Sequence, residues 1–207
     1  MPFDDSPAVR PDDARYLKRV RTTLRDVLPP SLPPSSIEIE LTDLPDASAR
    51  RFRGVNQLSV GRPLLDALSD PDTLTGYLAH EIGHLVDPRL QRKWIPFGGM
   101  CTAALAAVLL GVGVIPGPRI LLAAVPLVLF GFLVAELAIV RGAELAADRL
   151  AAQLSSPQAI HAALLFIKAG PHGSLPGPVL FSTHPAPEQR LAQLRSLFPT
   201  LAAPAAA

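Results

Sequence analysis

The apolar stretch from residue 95 to residue 140 limits the fold of this chain more than any other feature. Over this stretch only Arg119 and Glu136 carry charge. The sequence PGPR, at 116–119, divides it into two halves of about twenty residues, and each half matches the thickness of the hydrocarbon core of a bilayer. The pattern predicts a transmembrane hairpin of two helices. The alternative is a very hydrophobic helical pair buried in the core of the protein.

Basic residues at the ends of this stretch predict its orientation. Arg89, Arg92 and Lys93 precede it and Arg141 follows it, whereas the turn between the halves carries only Arg119. Because Lys and Arg accumulate on the cytoplasmic side of membrane proteins, both open ends are expected in the cytoplasm. The predicted protein is therefore an integral membrane protein with a lipid bilayer as partner. Its formal net charge of +1 gives no basic field, so nucleic acid is not an expected partner.

The remaining sequence alternates helical and extended patterns. A helix is predicted from Asp12 to Leu28, and its basic face is either solvated or lies against anionic lipid. SIEIEL (36–41) and NQLSVG (56–61) read as short strands. Two helices follow, separated by SDPD, where Ser69 or Asp70 can cap the second one. After the apolar stretch, helical patterns cover three further ranges: 141–154, 155–170 and the region after His184.

The sequence HEIGH, residues 80–84, lies in the middle of the second of these helices. Residues four apart on a helix differ by only about 40° around its axis, so His80 and His84 can bind one metal ion from the same face. Glu81 points elsewhere but can reach a metal-bound water, an arrangement that suits hydrolysis. The alternative is a pair of core or surface histidines on an amphipathic helix. Because the chain has one cysteine, Cys101, a metal must be held by histidines and carboxylates.

A catalytic metal needs a third protein ligand, and Glu144 is the best candidate. Glu144 and Asp148 are four residues apart in RGAELAADR, so one can bind the metal while the other orients a ligand imidazole. The predicted hairpin would return both to the side of the membrane where HEIGH lies. Glu136, within the second half of the apolar stretch, is the rival carboxylate. His161 and His172 have no motif around them and are expected at the surface or in a loop.

Three motifs in this order resemble a known family. LLDALSDPDTLTGYLAHEIGHLVD, then two apolar spans, then RGAELAADRLA and STHPAPEQRLAQL are similar to the HtpX-like and CAAX-prenyl-protease-like membrane zinc metallopeptidases, which are gluzincins. The similarity runs from about residue 55 to residue 195. The short polar N-terminal region departs from HtpX-type proteins, which usually have further spans ahead of the zinc motif.

The resemblance implies roles for particular residues. His80, His84 and Glu144 would bind one Zn²⁺ per chain, Glu81 would be the catalytic base, and Asp148 would support a ligand from behind. The resemblance also implies that His184 and Arg190 line the active site and hold the oxyanion. An edge strand ahead of the HEIGH helix would pair with extended peptide, and NQLSVG occupies that place.

The predicted fold class is mainly α with a small β-sheet, an α+β zincin-type catalytic domain interrupted by the transmembrane hairpin. The predicted organisation is an N-terminal helix and Pro-rich linker (1–34), the first part of the catalytic domain (35–94), the hairpin (95–140), the second part (141–199) and a flexible tail (200–207). The leading hypothesis is a zinc endopeptidase acting at the cytoplasmic face on polypeptides, including membrane-protein segments. A non-catalytic peptide-binding adaptor on the same scaffold and a purely structural zinc site are the alternatives.

Overall fold

The computed structural model describes residues 10–87, 118–170 and 184–202. Over these residues it is mainly helical with one three-stranded sheet, which confirms the α+β prediction. The helices are α1 (Asp13–Val27), α2 (Arg62–Ala67), α3 (Pro71–Val86), α4 (Pro118–Leu154), α5 (Pro157–Ala169) and α6 (Pro187–Leu197). The strands are β1 (Ile37–Thr42), β2 (Ala47–Phe52) and β3 (Val55–Gly61), and short 3₁₀ turns cover Pro34–Ser36 and Pro199–Ala202.

The helix α1 forms where apolar positions recur with helical spacing. Val20, Leu24 and Val27 are almost fully buried in the main core, as their positions on one helix face require. On the polar side, the Arg19 guanidinium donates to the backbone carbonyls of Leu65 and Leu68. One member of the predicted basic face therefore ties α1 to the end of α2.

The helix α3 starts at the cap that the sequence indicates. The Asp70 carboxylate accepts hydrogen bonds from the Thr73 amide at 2.8 Å and from the Thr73 hydroxyl at 2.5 Å. Pro71 occupies the first helical turn, where its missing N–H has no cost. From this cap α3 runs without interruption through the HEIGH residues, which therefore lie on a regular helix as predicted.

The sheet has the order β1-β3-β2, so β3 is its central strand. β1 pairs with β3 in parallel, and β2 pairs with β3 in antiparallel orientation through a two-residue turn at Arg53 and Gly54. Both turn residues have positive φ, 50° and 84°, as a type I′ hairpin requires. The prediction that NQLSVG is the edge strand was wrong. These residues lie in β3, which pairs with β1 on one side and with β2 on the other, and the edge strand that contacts α3 is β2.

Two glycines of α3 allow neighbouring helices to approach closely. A Cβ atom on Gly76 would lie 2.1 Å from the Ala159 carbonyl oxygen of α5. A Cβ atom on Gly83, inside HEIGH, would lie 3.1 Å from the Ala147 carbonyl oxygen of α4. Because α4 can pack this closely against the HEIGH turn, its residues just before and after Ala147 come within reach of the two histidines.

The predicted hairpin falls only partly on the described residues. Its first half, 95–117, lies outside them, and so does 203–207, most of the predicted tail. Its second half forms the beginning of α4, which continues as one helix to Leu154. None of the helices in 10–87, 118–170 and 184–202 combines the length and apolar character needed to cross a membrane. Large apolar side chains are nevertheless exposed on α4 at Phe130, Val134 and Ile139.

Candidate active site

Helices α3 and α4 bring three potential ligands together. His80 Nε2 lies 3.2 Å from His84 Nε2 and 3.3 Å from Glu144 Oε2. His84 Nε2 lies 3.5 Å from the other Glu144 oxygen, Oε1. Glu144 and His84 are buried, and ligand atoms of the three residues all lie within 4.8 Å of one another. Residues separated by about sixty positions in the chain therefore form one compact group.

The geometry of this group fits a tetrahedral metal ion. Zinc bonds to nitrogen and oxygen are about 2.0–2.1 Å long, which at tetrahedral angles separates two ligand atoms by about 3.3 Å. The separations of His80 Nε2 from His84 Nε2 and from Glu144 Oε2, 3.2 and 3.3 Å, lie close to this value, and the second Glu144 oxygen lies 3.5 Å from His84 Nε2. Two imidazoles and one carboxylate are also a donor set that zinc accepts, with a coordination position left for water or substrate. The residues present therefore fit a catalytic zinc.

Asp148 lies behind His80 and fixes its ring. The Nδ1 atom of His80 is 2.8 Å from Asp148 Oδ1, so its N–H donates to the carboxylate and the Nε2 lone pair faces Glu144 and His84. Burial lowers the pKa of His80, but the hydrogen bonds to Asp148 and Glu144 outweigh burial and raise this pKa to about 9. The negative charge of the two carboxylates therefore favours a cation at this site, and His80 must lose its proton to bind a metal ion there.

Arg190, from α6, lies behind Asp148. Its Nε and Nη2 atoms donate to the two Asp148 oxygens at 2.7 and 2.6 Å, and Nη2 lies 3.2 Å from His80 Nδ1. Burial raises the pKa of Asp148, but the hydrogen bonds from Arg190 and His80 outweigh it, so this pKa lies below its ordinary value. Arg190 is itself buried and contacts His80 from the side opposite Glu144. Arg190 thus lies on the side of His80 that faces away from Glu144, and not on the side where the ligand atoms meet.

His184 lies in front of the ligand group. Its Nδ1 atom is 3.1 Å from Glu144 Oε2, and its side chain is 66% exposed while that of Glu144 is 3% exposed. Burial raises the pKa of Glu144, but hydrogen bonds from His184 and His80 hold it well below its ordinary range. Glu144 is therefore a carboxylate at all ordinary pH values, and a partly solvated imidazole lies beside it.

Glu81 is buried between the ligand group and the edge strand β2. The backbone N–H of Ala49, in β2, acts on the Glu81 carboxylate and lowers its pKa. Burial is the largest influence on the pKa of Glu81 and raises it to about 7, although the charge of His80 acts in the opposite direction. A carboxyl group with a pKa near neutrality can both accept and release a proton at physiological pH.

Tyr77 extends this contact between α3 and β2 by one helical turn. It precedes Glu81 by four residues, so the two side chains share a helix face. Burial raises the pKa of Tyr77 to about 12, although the Ala47 backbone N–H acts in the opposite direction. Sequence reasoning missed Tyr77, although its position four residues before Glu81 is a signal that could have identified it.

A family model described as Peptidase family M48 matches residues 15–198. The chain belongs to peptidase family M48. It is accordingly a zinc metalloprotease, and the resemblance that the three motifs indicated is confirmed at the level of the family. No curated protein matches the chain.

In the described part of the chain, none of the other residues that the sequence suggested as ligands belongs to the group of His80, His84 and Glu144. His161 lies on α5 with its Nε2 atom 3.4 Å from Arg195 Nη2, and it is absent from the group that could hold a metal. Cys101 and His172 lie outside the described residues. Glu136 lies on α4 more than two turns before Glu144, and its side chain is also outside the description.

Proposed function

We propose that this M48 protein is an integral-membrane zinc endopeptidase that hydrolyses polypeptides, including segments of membrane proteins, at the cytoplasmic face. The observation that carries the proposal is the group of His80, His84 and Glu144, with ligand-atom separations close to those of a tetrahedral zinc site. These three residues would hold one Zn²⁺ per chain. When bound there, Zn²⁺ would polarise the scissile carbonyl and acidify the attacking water.

Glu81 is the proposed general base and acid. It takes a proton from the attacking water and delivers it to the leaving amine, and a pKa of about 7 suits both transfers. Its burial supports this role because a carboxylate away from bulk water is a stronger base than a solvated one.

His184, Asp148 and Arg190 divide the supporting roles. His184 is exposed beside Glu144 and can donate a hydrogen bond to the developing oxyanion. Asp148 orients His80, and Arg190 orients Asp148 through two hydrogen bonds. In this proposal Arg190 is a positioning residue rather than one that touches substrate.

The substrate is proposed to bind along β2. This strand has β3 on one side only, and Glu81 contacts its Ala49 amide. An extended peptide that pairs with the open side of β2 therefore passes Glu81. Main-chain pairing of this kind binds many sequences, because it does not depend on side chains.

The activity is tested by a matched pair of Glu-to-Gln variants. The protein is purified in a mild detergent, and cleavage of an unfolded protein is measured for wild type, Glu81→Gln and Glu188→Gln. Glu188 is an exposed residue of α6 that pairs with Lys168. We expect Glu81→Gln to lose activity by at least about 100-fold and Glu188→Gln to retain it. Equal cleavage by all three proteins would refute the role of Glu81, and peptide binding without turnover in wild type would favour the adaptor.

The membrane location is supported by the sequence of residues 95–140 and by the exposed apolar side chains Phe130, Val134 and Ile139 on α4. Phe130 and Val134 are one helical turn apart on α4, and an exposed apolar surface of this kind contacts lipid or protein. The test is extraction of a membrane fraction with alkaline carbonate, which releases peripheral proteins. We expect the chain to remain with the membranes, and its release into the supernatant would refute an integral location.

A further inference from the structure

The edge strand β2 presents alternate backbone groups to its open side. Gly61 N donates to Asp46 O at 2.8 Å, which makes this pair a hydrogen-bonded one in the antiparallel ladder. Hydrogen-bonded pairs alternate along such a ladder, so the even-numbered residues of β2 bond to β3. Ala47, Ala49 and Arg51 therefore direct their N–H and C=O groups away from β3. The contacts of the Ala47 and Ala49 amides with Tyr77 and Glu81 agree with this assignment.

The side chains of these three outward residues differ sharply. Ala47 and Ala49 carry only methyl groups and are half-buried, whereas Arg51 is exposed. Arg51 makes no hydrogen bond or ion pair with the residues that the structure describes, although both of its arginine neighbours in the hairpin have partners. Arg50 donates to Gln57 Oε1 at 2.9 Å, and the guanidinium of Arg53 lies 5.1 Å from the centre of the Phe52 ring.

The surroundings of Arg51 are positively charged. β2 contains no acidic residue, and three of the four residues from 50 to 53 are arginines. On the neighbouring strands, the Glu38 carboxylate accepts a hydrogen bond from Gln57 and the Glu40 carboxylate accepts one from Ser59. Neither carboxylate lies within ion-pair distance of Arg51. A cation at the open edge of β2 that has no counter-ion among the described residues is complementary to an anion on the strand that pairs there.

We propose that Arg51 makes this peptidase favour substrates with an acidic side chain two residues from the residue that pairs with Ala49. The inference rests on the proposed function, because it requires a peptide on the open edge of β2. Ala49 contacts Glu81, so the residue opposite it lies next to the scissile bond. Side chains two residues apart on a strand point to the same face, which places the second residue opposite Arg51.

The test uses peptides and two readouts. A cleavable neutral peptide is varied by placing Asp, Asn or Lys at each position around the scissile bond, and kcat/KM is measured for wild type, Arg51→Ala and Arg51→Glu. Arg50→Ala is the matched control, since Arg50 is in the same strand but points to the opposite face. Binding of the same peptides to Glu81→Gln gives Kd values that do not depend on turnover.

In wild type we expect Asp to raise kcat/KM and affinity by about two- to five-fold over Asn at one position, the range of an exposed cross-strand ion pair. Arg51→Ala should abolish this preference, Arg51→Glu should replace it with a preference for Lys, and Arg50→Ala should leave it unchanged. Cleavage without a preference for Asp, or a preference that survives Arg51→Ala, would overturn the inference while the proposed function stands. Absence of cleavage of every peptide by wild type would overturn both.

Discussion

Breaking the buried ion pair between Asp148 and Arg190 should destabilise the fold and the ligand group together. Arg190 donates to both Asp148 oxygens at 2.7 and 2.6 Å. The Arg190 side chain is 7% exposed and the Asp148 side chain is 5% exposed. Asp148→Asn preserves the shape of the side chain but leaves the Arg190 cation buried without a counter-ion. Removing one partner of a buried pair costs about 3–5 kcal/mol, because the remaining charge is uncompensated.

This loss of folding free energy corresponds to a shift of the thermal midpoint, Tm. For a chain of this size, about 1 kcal/mol shifts Tm by about 2–4 °C, so Asp148→Asn is expected to lower Tm by at least about 6 °C. Arg190→Met should lower it by a similar amount. The double variant leaves no buried charge unpaired, so its loss should be smaller than the sum of the two single losses by up to about 3 kcal/mol.

Circular dichroism during heating in detergent measures the midpoints, and zinc content is determined on the same samples. Asp148→Asn should also weaken metal binding by about 10–100-fold, because His80 loses its charged hydrogen-bond partner. Glu188→Gln, which removes an exposed ion pair with Lys168, should leave Tm within about 2 °C of wild type. Strictly additive losses in the double variant would refute the reasoning, because they would show that the two charges act independently.

Two further predictions concern helix packing and the response to acid. Gly76→Ala should destabilise the fold by at least about 1–3 kcal/mol, because the new Cβ atom would lie 2.1 Å from the Ala159 carbonyl oxygen. Gly142→Ala has no atom within 4 Å of its Cβ and should stabilise α4 by up to about 1 kcal/mol. Thermal midpoints that move in the same direction for both variants would contradict this account. The hydrogen bond from Arg62 lowers the pKa of Asp13 from 3.8 to about 2, so the stabilisation from this pair should be complete above pH 4 and disappear as the pH falls to about 2. A pH series of chemical unfolding should show that Asp13→Asn removes this part of the acid dependence, and a wild-type acid limb that survives the substitution unchanged would exclude Asp13 as its source.

Features with helical periodicity could be predicted from the sequence. The cap at Asp70 and the four-residue spacings of His80 with His84 and of Glu144 with Asp148 each depend on the geometry of a single helix. The structure confirms these spacings and this cap, because α3 is a continuous helix through His80 and His84 and α4 is continuous through Glu144 and Asp148. Although the ligands are far apart in the chain, one close contact between α3 and α4, at Gly83, is enough to bring them together.

Features that depend on contacts between different helices and strands could not be predicted from the sequence. The sequence of β2, ASARRF, has none of the apolar alternation typical of a strand, because its outer residues face solvent and two of its inner residues are alanines. It becomes a strand through the turn at Arg53 and Gly54 and through contact with α3. NQLSVG does alternate, and the resemblance assigns it to the edge because it is the strand that the sequence predicts just ahead of the HEIGH helix. The positions of Arg190 behind Asp148 and of Glu81 against the Ala49 amide likewise depend on packing between elements.

Zinc stoichiometry in two α4 variants tests the central claim most directly. The claim is that Glu144 completes the site formed by His80 and His84, whereas Glu136, the other carboxylate on the same helix, does not. Purified wild type and Glu136→Ala should each contain one zinc ion per chain, and Glu144→Ala should contain far less under the same dialysis conditions. Full zinc content in Glu144→Ala, or loss of zinc in Glu136→Ala with Glu144 intact, would contradict the account.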